Sequence, residues 1–267
     1  MLSKRLAHAA VTCAVLTVGV TACGGSTTTG AGGGAAAAPS PSASSLAVDT
    51  LGADEIEKQA KAAMTALASL KVDGTMTVEG KKMTISLAAD KKGDCAGTIG
   101  LGADGTIDLI RTGSQSWLKP DAAFWKSMAA KEGADAKGSA AVAELFKGRY
   151  IANAGSDAQV EELAGMCDLV KGLGEDDGST DKAVKGKAGD VNGVKTISLD
   201  VTDSDGQVNT IQVATEGKPY LIKLEQTAGA EPGEMVFSDF DKPLTVQAPP
   251  ADNVIDFSVF QQKLKTA

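Results

Sequence analysis

Two stretches of this chain have a hydrophobic period of two, and they are separated by a segment that lacks it. Thr75-Met76-Thr77-Val78 and Met83-Thr84-Ile85-Ser86-Leu87 alternate apolar with polar residues. Gly97 to Leu101, Thr106 to Ile110 and Ser114 to Leu118 extend the first stretch. Successive side chains of a strand point to opposite faces, so this spacing predicts half-buried strands. Glu79-Gly80-Lys81 and Ala103-Asp104-Gly105 supply turn residues between them. The second stretch comprises Ala183 to Ala188, Lys195 to Val201, Val208 to Thr215, Tyr220 to Gln226 and Glu234 to Phe240. Its turns are Asp205-Gly206 and Gly217-Lys218-Pro219. Links this short imply antiparallel pairing with one apolar face. A sheet of about ten strands twists enough to curl.

Helical spacing occurs elsewhere. Ile56, Ala60, Ala63, Met64, Leu67 and Leu70 predict an amphipathic helix over 54–70, capped by Asp54 with Glu55 and Glu57 in its first turn. Between Pro120 and Leu173 the alternation fails. Short helices are expected over 121–130, with Phe124, Trp125 and Met128 on one side, over 140–146 and over 157–170. Glu175-Asp176-Asp177-Gly178-Ser179 reads as a polar loop. The expected fold class is α+β: a curved antiparallel β half-barrel with helices packed on the concave side. An apolar pocket opens wherever sheet and helices fail to meet.

The N-terminus reads as an address. Lys4 and Arg5 precede an apolar run from about Ala9 to Val20, then small residues, which is the layout of a secretory signal over 1–22. The run is too short and too diluted by Thr12, Thr17 and Gly19 for a membrane span. Val20-Thr21-Ala22-Cys23 resembles the bacterial lipobox. In that motif the cysteine thiol carries a diacylglyceryl group, and the signal is cut just before it. The two acyl chains of such a group anchor stably. An ordinary signal peptide that leaves Cys23 as a spare thiol is the alternative. From Gly24 to Ser45 every residue is Gly, Ser, Thr, Ala or Pro. Such a tract has nothing to bury, so residues 23–52 read as lipidated cysteine and tether, spanning about 25 Å as a random coil. A single domain is expected over 53–267, lipid-anchored on the extracytoplasmic face of the cell membrane.

Composition removes several chemistries. The chain of 267 residues has one histidine, His8, inside the signal. Histidine general bases, histidine metal ligands and Ser-His-Asp triads are therefore absent from the mature chain. Formal charge is -8, and loss of Lys4 and Arg5 makes it more negative, which disfavours nucleic acid. Of the four cysteines, Cys13 leaves with the signal and Cys23 is at the lipobox. Cys95 and Cys167 remain, most simply as one disulfide in an oxidising compartment, otherwise as two buried thiols. No C-x-x-C is present.

The lipobox, the small-residue tether, the opening helix, Gly93-Asp94-Cys95 and the insert with Cys167 together resemble actinobacterial cell-envelope lipoproteins. The closing stretch from Phe237-Ser238-Asp239-Phe240-Asp241-Lys242-Pro243 to Ala248-Pro249-Pro250-Ala251-Asp252 is similar to the C-terminal signature of the LppX/LprG type, within a LolA-like superfamily. The resemblance implies a half-barrel closed by helices around a cavity for acyl chains of envelope lipids or lipoglycans. It also implies shuttling of lipid without chemical change. It brings no catalytic motif.

Three motifs have simpler readings. Gly100-Leu101-Gly102-Ala103-Asp104-Gly105 matches G-x-G-x-x-G, but Thr106 to Ile110 continues as a strand where a dinucleotide site needs a helix. Ser116-Trp117-Leu118-Lys119 matches S-x-x-K without S-D-N or K-T-G elsewhere. Asp203-Ser204-Asp205-Gly206 has Val201 and Gln212 where an EF-hand needs ligands, so a hairpin turn is expected. The acidic run from Glu175 is a solvated loop.

The apolar strand residues Met76, Met83, Ile85, Leu87, Ile99, Leu109, Ile197, Leu199, Ile211, Val213, Ile222 and Leu224 either line a ligand cavity or fill an ordinary core. Met76, Met83 and Met128 suit a pliable wall. Trp117, Phe124 and Trp125 are placed near the mouth. The expected protein is a monomeric, non-enzymatic carrier of an apolar lipid or lipoglycan, working without metal or cofactor. A module that binds another envelope protein is the alternative.

Overall fold

The computed structural model describes residues 45–152, 163–173, 182–202, 206–226 and 232–256. Among these, twelve strands form one open, curved, mostly antiparallel sheet. The first run is β1 (Ser69–Val78), β2 (Lys81–Asp90), β3 (Cys95–Gly100), β4 (Thr106–Thr112) and β5 (Gln115–Pro120). The second run is β7 (Lys182–Val191), β8 (Val194–Thr202), β9 (Val208–Ala214), β10 (Leu221–Gln226) and β11 (Gly233–Ser238). Each run is a meander, and the two join where β11 pairs antiparallel with β1. The three-residue strands β6 (Tyr150–Ala152) and β12 (Val254–Asp256) extend the β5 edge, β12 running parallel to β6. Both are additional to the expected strands.

The register aligns one apolar row across nine strands. Leu199, Ile211, Leu224, Met235, Gly74, Ile85, Ile99, Ile107 and Pro120 are successive cross-strand partners from β8 to β5. Partners in register share a face, so this row defines the apolar side. The opposite side is polar: Lys71 pairs with Asp73 at 2.8 Å, and Lys119 pairs with Asp108 at 2.8 Å.

Helices pack on the apolar side. α1 (Ala53–Thr65) sets Ile56 and Ala60 against Ile197, Leu199, Val201 and Val213. Met64 and Leu67 enter the main core with Val72, Leu87, Leu109, Cys167, Val170 and Phe237. Each such large side chain contributes about 1.5–3 kcal/mol on burial. The helix is shorter than its spacing predicts: Gly52 occupies the N-cap, and α1 stops at Thr65. The Ala68 amide donates to Asp241 Oδ1 at 2.8 Å, and Ser69 Oγ donates to the Lys242 carbonyl at 2.6 Å. These bonds draw the chain into β1. Leu67 and Leu70 stay buried from the turn and the strand, which is why they mimic a helical stripe.

In the insert, α2 (Ala122–Lys131) and α3 (Ala136–Phe146) form a helical hairpin. Residues 163–165 are helical, Met166–Asp168 is a 3-10 turn, and α4 (Leu169–Gly172) follows. Residues 157–162 of the expected third helix, the loop at 175–179 and residues 203–205 of the expected turn lie outside the described residues. Leu46, Val48 and Leu51, assigned above to the tether, pack beside α1. Packed structure therefore begins ahead of Ala53.

The exposed edge β7 is poorly suited to sheet extension. It carries Lys182, Lys185 and Lys187 and has a register shift between Lys185 and Ala188. Lys185 Nζ donates to the Val48 and Leu51 carbonyls at 2.7 and 3.1 Å, tying this edge to the approach to α1.

Candidate functional site

The apolar side is covered unevenly. Under α1 and α4, Val72, Leu87, Leu109, Leu199 and Val213 have 0% exposure. Farther along the same face, Met76, Met83, Ile85, Ile211, Leu224 and Met235 are only half-buried. Met76 sits directly opposite Met83, and Met235 sits opposite Leu224. This is an open apolar end with three thioether side chains, which conform readily to irregular apolar shapes.

A groove of about 430 Å³ lies at the same strand ends but mainly on the polar face, lined by Thr75, Met76, Thr77, Lys82, Glu225, Gln226, Pro232, Gly233 and Glu234. Glu225 and Glu234 are cross-strand partners, and Lys223 Nζ bridges them at 2.9 Å each. Those two hydrogen bonds hold the Lys223 ammonium above its ordinary range. Nearby, burial pushes the Asp73 carboxyl up, but Lys71 and Ser86 outweigh it and hold it below the usual range.

Helix α2 flanks the open end for reasons visible in the G-x-G-x-x-G segment. Gly102–Asp104 makes one 3-10 turn and β4 begins at Thr106, as a hairpin reading requires. Asp104 accepts from Ser127 Oγ at 2.6 Å and Lys131 Nζ at 2.9 Å on α2, and Lys81 Nζ of β2 lies 3.5 Å away. These partners, Ser127 first, hold its carboxyl down at about 2. Asp121 caps α2 by accepting from the Phe124 amide at 2.8 Å, and Thr106 Oγ1 donates to its other oxygen at 2.9 Å. Gly105 has φ +99°, and a Cβ there would stand 2.4 Å from both Asp121 Oδ1 and the Phe124 amide. The last glycine is thus needed for close approach of α2, not for a phosphate.

Aromatic rings continue outward from the core. Phe124 packs against the main cluster and meets Trp125 edge-on at 5.4 Å. Trp125 stacks on Phe146 at 4.2 Å.

The residues singled out from sequence separate into groups. Met76, Met83, Ile85 and Ile211 come together at the open end. Leu87, Leu109 and Leu199 lie under the helices, and Ile197 and Ile222 are 6% and 4% exposed. Phe124 and Trp125 lie on α2, while Trp117 is buried on the opposite sheet face, paired across from Ile110. Met128 is 38% exposed. Ser116 and Lys119 of the S-x-x-K match occupy opposite faces of β5. Cys95 and Cys167 form the disulfide, with Cα atoms 5.4 Å apart. Cys23 lies outside the described residues. Sequence reasoning missed Arg111 and Asp241. Arg111 shares the inward parity of Ile107 and Leu109, and an inward charge on an apolar strand signals a dedicated partner. Here the partner is Asp168.

No helix among the described residues is long and apolar enough to cross a membrane. No family model matches this sequence, and no curated protein matches it. Among solved structures, LprF from Mycobacterium bovis is similar at 11% identity and TM-score 0.52, over 78% of this chain and 100% of that one. The lipoprotein LppX from Mycobacterium tuberculosis is similar at 13% identity and TM-score 0.47, over 72% and 97%. At such identities the likeness concerns architecture. The chain has the fold of LprF, the LppX/LprG-type arrangement that its sequence resembles.

Proposed function

We propose that this chain is a lipid-anchored extracytoplasmic lipoprotein, tethered through Cys23, that binds a lipid or lipoglycan and shuttles it. The observation that carries this reading is the open apolar end at Met76, Met83, Ile85, Ile211, Leu224 and Met235. Acyl methylenes laid there each contribute roughly 0.8 kcal/mol, so a chain of ordinary length binds without a cofactor or covalent step. The shared fold with LprF and the implications of the sequence resemblance support it. Binding requires no enzyme chemistry, and the lack of histidine beyond His8 fits this.

One observation favours a second reading. Leu87, Leu109 and Leu199 have no exposure, as in a filled core, which suits an envelope interaction module that takes no lipid. Uptake of a fluorescent fatty-acyl probe separates the two. On the carrier reading, Met76→Glu weakens uptake at least tenfold by placing a charge at the open end. No uptake in either favours the interaction module, and equal uptake in both places the ligand away from Met76.

A further inference from the structure

The chain enters the fold at one end of the sheet, and the open apolar end is at the other. Ser45 forms an antiparallel bridge with Glu216, and the Leu46 amide donates to the Thr215 carbonyl at 2.8 Å, just past the end of β9. Lys185 Nζ holds the residues that follow through the Val48 and Leu51 carbonyls. At the opposite end of β9, Asn209 is in register with Gln226, Gly233, Met76 and Met83 on successive strands. Thr215 follows Asn209 by six residues, about 20 Å of extended chain. The β1–β2 hairpin runs on past Met76, through the half-buried Val78, to a turn at Glu79 and Gly80. Entry point and hairpin tip are therefore about 30 Å apart along the strands.

Cys23 precedes Ser45 by 22 residues. That length reaches about 75 Å at full extension, and its composition gives a random-coil span of about 25 Å. A linker joins two attachments best when its r.m.s. span matches the distance between them, and fails when it is too short. With Cys23 held in a bilayer, the open end meets that bilayer only if the linker runs back along the domain to Ser45. The distance required, about 30 Å, is close to the expected span.

We infer that the open apolar end docks on the same bilayer that holds the Cys23 anchor, with the domain turned so that Ser45 is farthest from it. Val78, Met76 and Met83, the apolar residues nearest the hairpin tip, then reach the lipid first. The tract from Gly24 to Ser44 is a spacer whose length sets how often this contact is made. The inference rests on the anchored carrier proposed above and adds the surface that the carrier meets.

Lipid extraction by the full-length lipidated protein, anchored in phosphatidylcholine vesicles, tests this. The vesicles carry an NBD-acyl phospholipid and a rhodamine lipid that quenches it, and extraction is read as recovery of NBD emission. Wild type is expected to extract at least tenfold faster from its own vesicles than from separate ones at equal lipid. Deletion of Ser26 to Pro41 leaves a reach of about 20 Å, less than the required span. It is expected to slow extraction from its own vesicles at least tenfold, with uptake of a soluble fluorescent fatty-acyl probe unchanged. Refilling the gap with a Gly-Ser segment of equal length is expected to restore the rate, because only length matters. Undiminished extraction by the shortened form, or equal wild-type rates from own and separate vesicles, overturns the inference and leaves the carrier reading in place. Loss of soluble-probe uptake in the shortened form alone makes the tract part of the binding fold and also overturns it. No uptake of the soluble probe by any form overturns the carrier reading and this inference with it.

Discussion

Arg111 and Asp168 form a two-point ion pair immediately beside the disulfide, with Nη1 to Oδ2 at 2.8 Å and Nη2 to Oδ1 at 3.3 Å. Arg111 is the cross-strand partner of Cys95, and Asp168 follows Cys167. One pair of elements is therefore held twice, once covalently and once by charge. Arg111 Nη1 also donates to the Ala164 carbonyl at 3.1 Å.

The covalent link is expected to carry most of the stability. It closes a loop of 72 residues, for which chain entropy gives about 4 kcal/mol. Paired Cys95→Ala and Cys167→Ala substitutions should lower the denaturation midpoint accordingly in urea titration. An unchanged midpoint would mean that α4 docks without it.

The ion pair contributes less and depends on pH. Hydrogen bonds from Arg111, then Lys171, hold the Asp168 carboxyl below the ordinary 3.8. A depressed carboxylate adds stability above its unfolded pKa and loses it as pH falls through the lower folded value. With the Asp168 side chain 40% exposed, screening limits the pair to about 1 kcal/mol. Asp168→Asn should remove that amount at pH 7 and flatten the stability curve below about pH 4. The effect should be larger without the disulfide, because both link the same elements.

Asp104 offers a direct titration. Its carboxyl resonance should shift only near pH 2, and Ser127→Ala should move that midpoint upward, since the Ser127 hydroxyl is its main support. A wild-type midpoint near 4 by NMR would mean that α2 is not held to β2 in solution.

Two glycines with positive φ should respond differently to alanine. Gly105→Ala meets Asp121 and the Phe124 amide, and is expected to cost about 2–4 kcal/mol by strain and overpacking together. Gly113 has φ +59° with nothing within 4 Å, so its alanine variant should cost only about 1 kcal/mol. Equal losses in thermal unfolding would contradict the close approach of α2.

Trp125→Ala should weaken acyl-probe uptake tenfold or more while leaving the circular dichroism spectrum unchanged. Unchanged uptake removes Trp125 from the ligand path.

The two strand runs were legible because alternation and turn residues agree over most of their length. Asn192-Gly193, with φ of 51° and 86°, adds a tight hairpin turn between β7 and β8. β6 and β12 are only three residues long, too short to establish a period. Trp117 and Leu118 are adjacent and both apolar, so alternation could not decide which faces inward; the register chose Leu118. At the candidate site, the inward parity of Met76 and Met83 was readable. That they stay half-exposed while Leu87 is covered depends on where α1 and α4 land, and no local pattern encodes that. Asp241 shows the same limit. It has φ 58° and binds the Ala68 amide and Tyr220 hydroxyl, at 2.8 and 2.9 Å, across 173 and 21 residues of sequence.

Native mass spectrometry with lipid extraction, on protein expressed in an actinobacterial host, tests the carrier reading most directly. The account predicts a stoichiometric co-purifying lipid, lost on Met76→Glu. A clean apo mass that gains nothing from added lipids would contradict it.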